Sequence, residues 1–338
     1  MHIYLTRFDK ESPYYYKKIT EFIPRFMSEF GFSSLPCLDT YEKFNFYCKP
    51  LDLQANPWLG ELQEFQRLYD CNNIKGLIYF TQYSHARALQ YWIEYMRSHK
   101  GICGGMLYWK FNDPVAPNRE NMLFPSLMSV IDFYGMPKMA YFYTRRAYND
   151  VIIAFREDST ALLIYGCNET KRRYSGIMTL WLINENEKRE KIFQKNVTIN
   201  EDSATLLASF NLENLENREI KCFGYLKAEI VGEINLHNRF YLKDIRDHIG
   251  AVPTETKLTC KITNIVSDRR TLSIYASNFA KDVCLTVLDR LVTYSDNFFD
   301  MDADETKQIN IILHNKKNKK ISLQVSALNV DKPVIMWC

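Results

Sequence analysis

The stretch Pro24-Arg25-Phe26-Met27-Ser28-Glu29-Phe30-Gly31 decides how the first part of the chain is read. The apolar run Ile23 to Met27 predicts a short strand delivering the carboxylate of Glu29, and Gly31 permits a sharp exit. In an α/β barrel the C-terminal ends of the strands carry the active site, so Glu29 would face the mouth of the barrel. On spacing alone the plainer reading has the stronger claim: a strand-end Glu in an ion pair, with Arg25 as its partner.

Outward from this stretch the pattern is helical. Gly76 to Arg97 carries Leu77, Phe80, Leu89, Trp92, Ile93 and Met96 at helical spacing, which predicts a long amphipathic helix. Gly101, Gly104 and Gly105 break it, and Met106-Leu107-Tyr108-Trp109 then reads as a buried strand. Further helices are expected over Pro57 to Leu68 and Lys138 to Ala147. Helices alternating with short apolar strands predict a parallel α/β arrangement. The second strand runs into Lys110-Phe111-Asn112-Asp113-Pro114. An indole there offers an apolar platform for a sugar face, and Asn and Asp can hydrogen-bond hydroxyls. Asn-Asp-Pro is equally a turn signal, and the two readings stay level.

Near residue 150 the pattern changes to strand upon strand. Predicted strands are Val151–Phe155, Ala161–Tyr165, Ile177–Ile183, Thr205–Phe210, Ile220–Ile230 and Phe240–Leu242, separated by polar turns such as Asn184–Glu187 and Asn211–Asn217. A second set covers Leu258–Ile265, Thr271–Ala276, Val283–Leu288, Ile309–Leu313 and Ile321–Ser326, with Ile249-Gly250-Ala251-Val252-Pro253 as the candidate linker. Two β-sandwiches of roughly 90 residues each fit, near the size of an immunoglobulin-like domain. The organisation expected is therefore an α/β portion over 1–149, a sandwich over 150–250 and another over 251–338. About 150 residues with two barrel-type strands cannot close an eight-stranded barrel, which needs ~200–250 residues.

The bulk numbers exclude several classes. With 46% hydrophobic residues in 338, the chain can bury cores and is not a disordered tail. The net charge of +3 is scattered without a basic block, so no nucleic-acid partner is indicated. Nine cysteines, an odd number with no C-x-x-C pair, read as reduced thiols rather than a disulfide framework or a zinc site. No apolar run approaches the ~20 residues of a membrane span, and no secretory h-region follows Met1, so a soluble cytoplasmic protein is expected. Asn168-Glu169-Thr170 and Asn196-Val197-Thr198 match the glycosylation sequon and are expected to be ordinary surface residues. Aromatics make up 14%, which suits sugar rings but equally fills cores.

Several of these segments together resemble the glycoside hydrolase family 2 β-mannosidases. Arg25-Phe26-Met27-Ser28-Glu29-Phe30-Gly31-Phe32 looks like the family's nucleophile motif, and Tyr79-Phe80-Thr81-Gln82 followed by Gly105 to Asp113 keeps its order and spacing. Ser129-Val130-Ile131-Asp132-Phe133-Tyr134-Gly135, then Pro137-Lys138 and Tyr141, is similar to the segment that closes the family's barrel. Ser277 to Val283 and Ser295 to Asp300 resemble its C-terminal immunoglobulin-like domain. The resemblance implies the C-terminal part of a (β/α)8 TIM barrel followed by two immunoglobulin-like β-sandwiches. It implies a retaining hydrolase of terminal β-mannosides, with Glu29 as nucleophile, Trp109 lining the subsite of the cleaved mannose, and Asn112 and Asp113 as support or sugar contacts. Neither a cofactor nor a metal is implied, and the expected partner is a β-mannoside oligosaccharide or glycan. In one departure, Val115 stands where many relatives carry a Trp, which affects the shape of the sugar pocket.

A retaining glycosidase needs a second carboxyl group about 5–5.5 Å from the nucleophile. In the resembled family that acid/base follows an Asn at the end of the fourth barrel strand, far upstream, whereas only 28 residues precede Glu29 here. Asn184-Glu185, Asn186-Glu187 and Asn200-Glu201 lie in polar turns and do not replace it. The expectation is a fragment inactive by itself. The other readings are a non-catalytic remnant serving carbohydrate binding or assembly, or a fragment of a β-galactosidase or β-glucuronidase relative.

Overall fold

The computed structural model describes residues 2–5, 23–47, 73–113, 127–216, 223–243, 256–287, 291–314 and 322–337. The expected helix over Pro57–Leu68, the linker Ile249–Pro253 and Val115 lie outside the described residues. The chain divides into two compact units: Met1–Asn184 with Arg189–Ile249, and Gly250–Cys338 with the turn Glu185–Lys188. No described helix is long and apolar enough to cross a membrane.

The first unit opens with a three-stranded parallel sheet in the order β1-β2-β3, formed by His2–Leu5, Met27–Phe32 and Met106–Tyr108. The second strand differs from the sequence expectation. It starts at Met27, where Ile23–Met27 was expected to be the strand, and continues to Phe32, so Glu29 lies inside it. The reason is pairing on both sides: Glu29 stands opposite His2 of β1, and Phe30 opposite Tyr108 of β3. Strand β3 also departs from the expected buried strand, because Leu107 is 58% exposed.

Helix α1 covers Leu38–Tyr47, which the sequence reading left without an element, and α2 covers Ile74–Arg97. Helix α2 starts where the Asn73 carboxamide oxygen accepts the Gly76 N–H at 2.9 Å, satisfying one of the free amides of the first turn. Its apolar stripe puts Leu89, Trp92, Ile93 and Met96 in the core. Trp92 meets Phe30 edge-on at 5.7 Å and Phe32 at 6.4 Å, so these two side chains of β2 face the helix. Helix α3, Met139–Ala147, packs beside α2.

The rest of this unit is a sandwich. A four-stranded sheet, β10-β9-β6-β7, faces a three-stranded one, β4-β5-β8. The strands are β4 (Val151–Asp158), β5 (Ala161–Asn168), β6 (Tyr174–Asn184), β7 (Arg189–Ile199), β8 (Ser203–Asn211), β9 (Gly224–Gly232) and β10 (Leu236–Lys243). All pairings are antiparallel, and the core between the sheets is aliphatic, with Leu162, Ile164, Met178, Leu180, Leu226 and Ala228 fully buried. Strand β7 was not anticipated, because Arg189-Glu190-Lys191 and Gln194-Lys195-Asn196 hide its inward residues among charge. The turn expected over Asn211–Asn217 holds a short helix, α4 (Leu212–Glu216).

The sandwich is tied to the helical part by Arg97 at the end of α2. Its guanidinium is buried and donates to the carbonyls of Ala147 at 2.6 Å, Asn149 at 2.7 Å and Asp150 at 3.2 Å. Lys100 forms ion pairs with Glu169 and Asp202, and Asn238 of β10 donates to the Glu94 carboxylate at 3.1 Å and to the Ile153 carbonyl at 2.7 Å. Glu94 is buried, and that desolvation raises its pKa against the hydrogen bonds from Gln90 and Asn238 and the charge of Arg87.

The second unit is another two-sheet sandwich, β11-β12-β16-β14 and β15-β13-β17-β18. Its strands are β11 (Leu258–Val266), β12 (Arg269–Ala276), β13 (Ala280–Val287), β14 (Val292–Tyr294), β15 (Phe299–Met301), β16 (Thr306–Leu313), β17 (Ser322–Ser326) and β18 (Val334–Trp337). The short strands β14, β15 and β18 add to the predicted set, being only three or four residues long. The Lys281 ammonium, with no exposure, is held 3.0 Å from both Asp282 and Asp300, so its buried charge is paired.

Candidate active site

Glu29 lies within β2, next to Phe30, where the pairing with β3 shifts register between Met27 and Phe30. Trp109 follows β3 immediately, and its backbone N–H donates to the Phe30 carbonyl at 2.7 Å. The parallel pairing of β2 with β3 therefore carries Glu29 and Trp109 on adjacent strand segments. Phe26 lies against Gly105, where a Cβ would stand 2.5 Å from the ring, so a larger residue there would push the half-exposed Phe26 ring aside. The Trp109–Lys110 peptide bond is cis.

Beyond Trp109 the chain runs parallel to residues 128–131. Lys110 N–H donates to Met128 O, Val130 N–H to Lys110 O, Ile131 N–H to Phe111 O and Asp113 N–H to Ile131 O, at 2.9 to 3.1 Å. Along this segment Trp109, Phe111 and Asn112 are exposed, while Asp113 is only 3% exposed. The Asp113 carboxylate accepts from Ser129 Oγ at 2.6 Å and lies 3.7 Å from Lys110 Nζ. The two neighbours in sequence are thus separated: Asn112 is exposed to solvent, and Asp113 holds the loop from beneath.

Under this surface lies a buried polar cluster that sequence reasoning did not find. Lys138 Nζ donates to Ser34 O at 3.2 Å, Ser34 Oγ at 3.1 Å and Leu127 O at 3.1 Å. Ser34 Oγ lies 2.9 Å from His85 Nδ1 on α2. Gln82 Nε2 donates to Leu35 O at 3.2 Å, and Gln82 Oε1 accepts from Met139 N at 3.0 Å. These bonds fasten the exit of β2 to α2 and to the segment pairing with Asn112. Burial, aided by the nearby Lys138 charge, lowers the His85 pKa well below its ordinary value. Burial also lowers that of Lys138, against the charges of Asp113 and Asp132. The signal for Lys138 was present in Pro137-Lys138, but no spacing identifies Ser34 or His85 as its partners.

The mannosidase Ig-fold domain (Ig_mannosidase) matches residues 254–331. A goat (Capra hircus) β-mannosidase is 25% identical over 180 residues, covering 46% of this chain and 20% of the goat protein. The chain resembles the C-terminal part of a β-mannosidase. It superposes on the β-D-mannosidase of Dictyoglomus thermophilum with a TM-score of 0.72 at 20% identity, over 92% of this chain and 38% of that one. The exo-chitosanase of Amycolatopsis orientalis gives 0.71 at 15% identity, over 93% and 42%. The β-mannosidase-like fold therefore extends over nearly the whole chain, which spans about a fifth of the goat protein and under half of either bacterial enzyme.

Proposed function

We propose that the chain is the nucleophile-bearing C-terminal part of a retaining β-mannosidase of glycoside hydrolase family 2. Residues 1–149 form the last portion of its TIM barrel, and 150–250 and 251–338 its two C-terminal sandwiches. What supports this reading is the parallel pairing of β2, which carries Glu29, with β3, which runs into Trp109 and its loop.

In this mechanism the Glu29 carboxylate attacks the anomeric carbon of a terminal β-mannoside. The glycosidic C–O bond breaks, and the leaving oxygen takes a proton from a second carboxylic acid. Water, deprotonated by that same carboxylate, then cleaves the glycosyl ester and regenerates Glu29. Trp109 supplies the apolar platform under the sugar, Asn112 hydrogen-bonds its hydroxyls, and Asp113 positions the segment that carries both. The acid/base belongs to a part of the relatives that this chain does not cover.

The chain alone is expected to show no turnover of an aryl β-mannoside. Joined to the preceding part of the Dictyoglomus enzyme, it is expected to hydrolyse that substrate, and Glu29→Gln to abolish the activity. Turnover by the 338-residue chain alone, lost on Glu29→Gln, would overturn the assignment of the acid/base to another segment. A joined protein whose activity survives Glu29→Gln would remove Glu29 from the mechanism.

A further inference from the structure

The two N-x-T sequons differ in the fold, and the expectation that both are ordinary surface sites fails for one of them. Asn168, at the end of β5, has no exposure. Its Nδ2 donates to Arg172 O at 2.7 Å and Asn200 O at 2.9 Å, while its Oδ1 accepts from the N–H and Oγ1 of Thr170, both at 2.8 Å. The whole carboxamide is used, from its buried position, to close the exposed turn that follows β5. Asn196 stands in the middle of β7, exposed, opposite Ile177 of β6. Thr198, two residues on and therefore on the same face, is also exposed, with its hydroxyl 3.0 Å from Ser175 Oγ. Val197 between them is buried, so strand alternation fixes Asn196 outward.

We propose that, when this chain passes through a secretory pathway, Asn196 accepts an N-glycan and Asn168 does not. In the transfer, the Asn196 carboxamide nitrogen forms a C–N bond to the anomeric carbon of an oligosaccharide carried on a lipid diphosphate. The C–O bond to the diphosphate breaks, and the proton leaving the nitrogen is taken up by the transferring enzyme's base. A glycan at Asn168 would take the place of an Nδ2 hydrogen that the turn requires and would have to sit where the side chain is fully buried, so a chain modified there does not reach this fold. Asn196 is exposed and only Val197 and Ile199 of this end of β7 are buried, so a glycan there leaves the core of the sandwich untouched. Among the described residues β7 ends its sheet, so a glycan there would also shield an 11-residue edge strand from pairing with another chain.

The test is secretion of the full 338-residue chain, behind a cleavable leader, from a eukaryotic host. Folded protein is expected to carry an endoglycosidase-sensitive glycan on the peptide containing Asn196 and unmodified Asn168. Thr198→Val is expected to remove the shift in mass while leaving the circular dichroism and melting profile in place. Folded, secreted protein with Asn196 unmodified, or with a glycan on Asn168, would overturn the proposal. A control with a sequon placed at exposed Lys171 keeps the result readable if the wild-type chain is secreted without glycan.

Discussion

In the first sandwich, Leu162, Ile164, Met178 and Leu180 are fully buried between two antiparallel sheets. On β2, β3 and their flanks, Phe26, Leu107, Trp109 and Phe111 remain 44% to 58% exposed. An antiparallel sandwich closes on its own second sheet. The parallel sheet is covered by α2 through Phe30 and Phe32, while large apolar groups at the start of β2, on β3 and along the Trp109 loop are presented to solvent. The difference lies in partners: the sandwich supplies its own second sheet, whereas the parallel sheet leaves large apolar side chains exposed.

The largest expected contrast is in hydrogen exchange. Core amides of β5, β6 and β9 are expected to open only with global unfolding, whereas those before residue 150 open at lower free energy. Uniformly strong protection across both regions would count against an open barrel portion. Next, Trp92→Ala removes the side chain that both Phe30 and Phe32 pack on, and is expected to cost about 3–5 kcal/mol in urea unfolding. A loss below about 1 kcal/mol would mean that the helix-facing side is less tightly packed than the geometry indicates.

Replacing Arg97 by Met tests the joint between the regions. The loss of charge-assisted donors to three carbonyls is expected to cost about 1.5–3 kcal/mol, and two separate unfolding transitions in place of one would sharpen the contrast. His85 gives a pH test. Its folded pKa is depressed, so the stability linked to it is present above about pH 6.5, the unfolded value, and is lost as the pH falls toward the folded pKa. Unfolding midpoints at pH 7.5 and 5.0 should therefore differ less in His85→Gln than in the wild type. The smallest effect is expected for Trp109→Ala, within about 0.5 kcal/mol of wild-type stability. A clear loss there would show the indole to be a packing residue rather than a platform.

Much of the fold was legible in the chain. Helix α2 was marked by its apolar period, and it differs from the prediction by two residues at its start. From β4 onward the strands lie on their predicted apolar runs except β7 and the short β14, β15 and β18. Strand β7 was missed because an edge strand carries charge on its outward positions, which weakens the apolar alternation. The strand of Glu29 was placed several residues early because Ile23 to Met27 is apolar, but hydrogen bonding to β1 and β3 selects Met27–Phe32.

The sequence by itself indicated the long helix α2, most of the longer strands, the change to strands near residue 150 and the family resemblance carried by the Glu29 and Trp109 motifs. Tertiary structure alone decided what adjacent or identical residues do. Asn112 is exposed and Asp113 is buried because pairing with residues 128–131 turns one outward and gives the other Ser129. Asn168 closes a turn and Asn196 projects from an edge because each N-x-T motif falls in a different register. Local patterns report propensity and period, whereas burial and hydrogen-bond partners depend on segments far apart in the chain that only the fold brings together.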